Sequence, residues 1–182
     1  HTFRTLASLS AEASETTHSN PIILTSPEGA VHVQVSSFKQ WRTDLFTFHS
    51  TDHGRAWSRP SRPFWDEMEF SSGISREESG ALFQLVHGRA GTANFSRSTD
   101  GGLTWTSPRP IFPDPGSWNV PYPLGTIATP GRLHAFAAGE AEDIQETRST
   151  DQGRTWAVPT ALPSSQTGMA PISASRIFLA II

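Results

Sequence analysis

The chain of 182 residues contains no cysteine, a single tyrosine (Tyr122) and a single lysine (Lys39). Without cysteine there are no disulfides and no thiolate metal sites, and the redox character of the compartment is left undetermined. No run approaches the ~18 apolar residues that a membrane-crossing helix requires. Charged residues make up 17% of the chain and the formal net charge is −3, so it lacks the basic field that draws nucleic acid or an anionic membrane surface. Neither nucleic-acid binding nor membrane insertion is expected. Of the 14 basic residues all but Lys39 are arginine, which suits bidentate recognition of carboxylate or phosphate and is equally the mark of a compositional bias. The first residue is His1 and no basic-then-apolar leader follows it, a beginning compatible with a mature secreted or extracytoplasmic form, a trimmed chain or a fragment.

What is abundant is turn chemistry. There are 14 Gly and 14 Pro, with many Ser and Thr between short β-branched and aromatic runs, which predicts an all-β protein rich in tight turns. The length fits one domain over 1–182 with a proper core.

One phrase occurs three times: HSTDHGRAW at 49–57, RSTDGGLTW at 97–105 and RSTDQGRTW at 148–156. Its aspartates, Asp52, Asp100 and Asp151, are 48 and 51 residues apart, and a proline follows each tryptophan three residues on, at Pro60, Pro108 and Pro159. A second signal keeps the same beat: EGAVHVQV, ESGALFQL and PGRLHAFA place turn glycines Gly29, Gly80 and Gly131 at intervals of 51 residues, each before an apolar strand. The segments PIILT, EFSSGIS and YPLGTIAT supply a strand before each turn. Every unit thus reads strand, turn, strand, variable loop, strand, S-T-D-x-G turn, strand: a four-stranded antiparallel meander. Such a sheet must bury both faces against neighbours, which explains the repetition, and radial stacking of such sheets makes a β-propeller.

Within the phrase, the aspartate stands where its carboxylate accepts hydrogen bonds from backbone N–H groups further round the turn. Gly54, Gly102 and Gly153 supply a position open to positive φ. Trp57, Trp105 and Trp156 carry large rings to be buried between stacked sheets. The proline beyond suits an outer edge strand, which need not donate every ladder bond. Three identical lone carboxylates in separate units do not make one convergent catalytic or metal constellation, so the repeated Asp, Gly and Trp are read as scaffold.

The phrase S-T-D-x-G-x-T-W resembles the Asp box, or BNR repeat, of the sialidase (neuraminidase) superfamily, and the resemblance covers the chain from about Pro21 onward. It implies a sialidase-like β-propeller of about three complete four-stranded blades, near 21–63, 64–112 and 113–163, with part of a fourth over 164–182. Because a propeller has four to eight blades, the exposed apolar face and strand edges of so few lead to the expectation of more chain or of a homo-oligomer.

Strand alternation puts the repeated turns and the one-two turns on one end, and the two-three loops and blade crossings on the other. The resemblance implies that activity resides at that second end, near the starts of the first strands. The loops and crossings there carry Arg42, Asp44, Arg62, Asp66, Glu67, Glu69, Arg89, Trp118, Tyr122, Glu140, Glu142 and Asp143. A sialidase site, by the same resemblance, uses an arginine cluster on the substrate carboxylate, a tyrosine nucleophile activated by a glutamate, and an aspartic acid/base. The matching candidates are Tyr122 and Glu69 as catalytic pair and Arg42, Arg62, Arg89 and Trp118 as substrate contacts. Against them stand the plainer readings of arginines in solvated pairs and of aromatic rings packed between blades. The chain also lacks the Arg-Ile-Pro motif that the family places on its first blade. His32 and His134 occupy equivalent strand positions and read as packing residues; no metal and no cofactor is expected. Two functions follow as expectations: glycan recognition or sialoside hydrolysis at the end opposite the repeated turns, or a non-catalytic module for protein interaction or self-assembly.

Overall fold

The computed structural model describes residues 17–26, 28–39, 42–61, 68–88, 92–112, 122–138 and 144–162. The segment expected to begin a fourth blade lies outside them. The first sheet comprises β1 (Thr17–Thr25), β2 (Val31–Lys39) and β3 (Arg42–Ser50) in that order. The second is β4 (Met68–Arg76), β5 (Leu82–Gly88), β6 (Ala93–Ser98) and β7 (Arg109–Pro110). The third is β8 (Tyr122–Thr129), β9 (Arg132–Ala138), β10 (Ile144–Ser149) and β11 (Thr160–Ala161). All pairings are antiparallel between neighbours in sequence, as the repeat pattern requires.

The outer strand is the one element that departs from expectation. In the second and third sheets it spans two residues, and in the first it shrinks to an isolated bridge between Thr47 and Ser61. The cause is local: Pro60, Pro108 and Pro159 stand directly before these short pairings, and proline cannot donate to a ladder.

The three repeated turns share one construction. Ser50, Ser98 and Ser149, all buried, accept the amides of Gly54, Gly102 and Gly153 at 2.8, 2.7 and 2.8 Å. The same hydroxyls donate to Asp52, Asp100 and Asp151 at 2.8, 2.7 and 2.8 Å. Each aspartate then accepts an amide four residues on, from Ala56, Thr104 or Thr155, at 2.8 to 2.9 Å. The glycines sit at φ +80°, +92° and +81°, where a side chain is strained. Each indole N–H returns to the carbonyl of its own turn glycine at 3.0 to 3.1 Å. The Trp105 ring packs against Leu45 of the preceding sheet and Val86 of its own, and the Trp156 ring against Phe95 of the preceding sheet.

The inner strands lie side by side, β4 between β1 and β8. Gly73 and Gly125 let β4 and β8 approach closely: a Cβ on Gly73 would stand 3.6 Å from the Gly125 Cα. Ser75 and Thr126 bond across the same pair at 2.8 Å. The core between the second and third sheets is apolar, built on Phe83, Leu85, Phe95, Phe112, Leu133, Ala135 and Ala137. Three antiparallel meanders stacked in this way form a partial β-propeller.

Candidate functional site

The end opposite the repeated turns is formed by the starts of β1, β4 and β8 and the ends of β2, β5 and β9. Each inner strand breaks register in this half: between Ser19 and Ile22 in β1, between Met68 and Phe70 and again between Ser71 and Gly73 in β4, and between Pro123 and Gly125 in β8. Their other halves pair without interruption up to the one-two turns. Bulges add twist and re-aim side chains, and they concentrate beside functional sites.

Tyr122 opens β8 at this end and is 41% exposed. Its ring stands 5.4 Å from that of His87, tilted by 44°. His87 comes from the last turn of chain in β5, so the pair spans the boundary between the second and third sheets. Burial raises the Tyr122 phenol above its usual value of 10.0, so the hydroxyl is protonated at neutral pH. A neutral phenol acts as nucleophile only with a base to take its proton.

Of the other candidates, Arg42 begins β3 and Glu69 lies in β4, the strand next to β8. Their placement is described for the backbone alone. Arg62, Arg89 and Trp118 lie outside the described residues, as do Asp66, Glu67, Glu140, Glu142 and Asp143. Asp44 is opposite Ser37, near the start of β3 at this same end of the first sheet. The structure therefore brings one expected residue, Tyr122, into a defined setting and adds His87, which the sequence reading passed over. The available signal was the loop HGRAGT at 87–92, which starts at His87 and carries the expected Arg89.

Behind His87, Asn94 donates to the Thr92 carbonyl at 3.1 Å and to the Thr92 hydroxyl at 2.7 Å. Gly88 donates its amide to Thr92 O at 2.9 Å, and a Cβ at Gly88 would fall 2.6 Å from the Asn94 amide nitrogen. The β5–β6 connection that carries His87 is thus held by buried polar bonds. Among the described residues no group of three or more His, Asp or Glu side chains converges on a metal position. No helix among them is long and apolar enough to cross a membrane.

No curated protein matches the chain in sequence. Solved structures match it in fold. A Dyadobacter fermentans protein of unknown function aligns at 17% identity with a TM-score of 0.61, over 79% of this chain and 50% of that one. The catalytic domain of the Coprinopsis cinerea GH62 α-L-arabinofuranosidase aligns at 14% identity with a TM-score of 0.59, over 85% and 53%. An α-L-arabinofuranosidase from Podospora anserina, in complex with cellotriose, aligns at 13% identity with a TM-score of 0.58, over 86% and 54%. At these identities the likeness is one of fold, and the chain spans about half the length of each of these structures. The family model described as the BNR repeat-like domain matches residues 4–180, the full extent of the repeated turns and meanders. The chain belongs to the BNR repeat-like domain family.

Proposed function

We propose that this chain is part of a glycan-acting propeller whose working end is the one opposite the repeated turns, with Tyr122 at its centre. The observation that carries the reading is the placement of Tyr122: exposed, at the start of an inner strand, ring against His87, beside register breaks confined to that half of the strands. Two of the fold neighbours are named as α-L-arabinofuranosidases, which supports a carbohydrate ligand. The finer reading is sialoside hydrolysis. In it Glu69 takes the Tyr122 proton as the phenol oxygen attacks the anomeric carbon; the glycosidic C–O bond breaks, the aglycone leaves as an alcohol with a proton from water, and a second water then frees the sugar from Tyr122, while Arg42, Arg62 and Arg89 hold the substrate carboxylate and Trp118 stacks on a sugar ring.

The test is a panel of aryl glycosides that includes a sialoside and an α-L-arabinofuranoside, with oligosaccharide binding followed by NMR shifts. The reading requires turnover or binding that perturbs Tyr122 and His87, and turnover that Tyr122→Phe abolishes. Sialoside turnover lost in Glu69→Gln as well supports the finer reading. Absence of both turnover and binding across the panel overturns the glycan assignment.

A further inference from the structure

The two junctions between sheets differ in chemistry. Between the second and third sheets the contact is apolar, with Phe83, Leu85 and Phe95 meeting Leu133, Ala135 and Ala137. Between the first and second the apolar contact of Leu45 with Val86 is joined by a polar row: His32, Gln34 and Ser36 line one face of β2, all buried, and Gln34 bonds across to Gln84 at 3.0 Å. His32 and Phe83 hold equivalent repeat positions, 51 residues apart. The first junction carries an imidazole where the second carries a phenyl ring.

His32 lies directly opposite His49 in the β2–β3 ladder, their Nδ1 atoms 3.3 Å apart and their ring centroids 4.6 Å apart. His32 is 4% exposed, and its Nε2, like Gln34 Oε1 and Ser36 Oγ, is buried without a protein partner. The second sheet's turn closes over the pair. A Cβ at Gly102 would fall 2.7 Å from the His32 ring and 2.8 Å from the His49 ring, and Trp105 stands 6.0 Å from His32. A cavity of about 120 Å³ opens beside the two rings. Asp100 from the turn and Arg76 from the end of β4 are the charged groups that face it, and Arg76 is paired with Glu28 at 3.4 Å.

An Nδ1···Nδ1 hydrogen bond needs one proton and one lone pair, so it exists while the pair is neutral or singly charged and fails when both rings are charged. We propose that the junction between the first and second sheets is an acid-sensitive joint: proton uptake by His32 and His49 breaks their mutual bond, charges a dry seam and releases the Gly102 turn, while the apolar second junction holds. Burial lowers the affinity of both rings for protons. The Gly102 backbone and the Asp100 charge oppose that effect at His49, so it takes the first proton. Burial first, and then the His49 charge, hold His32 down from 6.5 to about 4. A histidine depressed in the folded state contributes stability that is complete above the unfolded value and is lost as pH falls toward the folded one. The window of this joint is therefore 6.5 down to about 4.

The test compares hydrogen exchange, corrected for intrinsic rate, at two equivalent amides, Gly102 and Gly153. Both are bonded to a turn serine beside an aspartate held below its usual 3.8, so carboxylate titration falls beneath the window at each. Opening at Gly102 is expected to rise about tenfold per pH unit through the window, about 300-fold in all, over any rise at Gly153. In His32→Phe, which copies the second junction, the excess disappears. A Gly102 response equal to that of Gly153, or an excess that survives in His32→Phe, overturns the proposal. Proton NMR titration of the unaltered protein provides a check independent of any variant. His32 and His49 should both titrate below 6.5, His32 near 4, and titration of both near 6.5 overturns it.

Discussion

Ser98 Oγ donates to Asp100 Oδ1 and accepts the Gly102 amide, each at 2.7 Å, so one buried hydroxyl ties the start of the turn to its glycine. Ser98→Ala removes the acceptor of a buried amide and should cost about 1–3 kcal/mol. Ser50→Ala and Ser149→Ala should behave alike, since the geometry is the same. Urea unfolding of the three variants checks this; losses confined to one turn would show that the three are not equivalent supports.

Gly101 of the middle turn and Gly153 of the third separate strain from crowding. Gly101 has φ +73° with nothing within 4 Å of a Cβ, whereas in the third sheet a Cβ on Gly153 would meet the Phe95 ring at 2.3 Å. Gly101→Ala should cost about 1 kcal/mol from backbone conformation alone. Gly153→Ala should cost about 1–3 kcal/mol more, because the ring must move within a packed core. Unfolding midpoints in urea order the two variants, and equal losses would refute the distinction.

Gln34 and Gln84, both fully buried, share a hydrogen bond across the first junction. Gln34→Leu takes that donor from the Gln84 carbonyl and should cost about 1–3 kcal/mol. The double variant Gln34→Leu/Gln84→Leu should cost less than the two single losses combined, with a coupling of about 0.5–3 kcal/mol. Additive losses would mean that the bond contributes nothing.

Glu146 is held below its ordinary value of 4.5, first by the Arg148 hydrogen bond at 2.7 Å and also by His134 at 2.6 Å, against the opposing effect of burial. Asp52, Asp100 and Asp151 are depressed as well; at Asp100 partial burial is outweighed by bonds from Thr104 and Ser98. A depressed carboxylate contributes stability above its unfolded value that is lost as pH falls. Acid unfolding should therefore steepen below about pH 4.5, from the lower end of the histidine window downward. Arg148→Met should raise the Glu146 value, readable from its carboxyl carbon shift, and an unchanged value would remove Arg148 as the cause.

The repeat was legible because turn chemistry is local. Ser, Asp and Gly within five residues bond to one another, and the structure places each bond inside that window. The aspartate is one part of a larger device: the buried serine takes the glycine amide, and the indole N–H closes on the glycine carbonyl. The working end was legible only as a set of loops. Tyr122 could be assigned to that end from strand alternation, but its approach to His87 depends on how the second and third sheets are set side by side.

Residue order by itself determined the all-β class, the meander, the three turns and the two ends of the stack, since each follows from alternation, glycine conformation and hydrogen bonds between near neighbours. Tertiary structure alone decided what each sheet face meets. His32 and Phe83 occupy one repeat position, and their different fates, a histidine pair against the Gly102 turn and an aromatic core with Phe95, arise from contacts between residues far apart in sequence. Whether a buried polar group finds a partner is settled in the packing between sheets, where no local pattern records it.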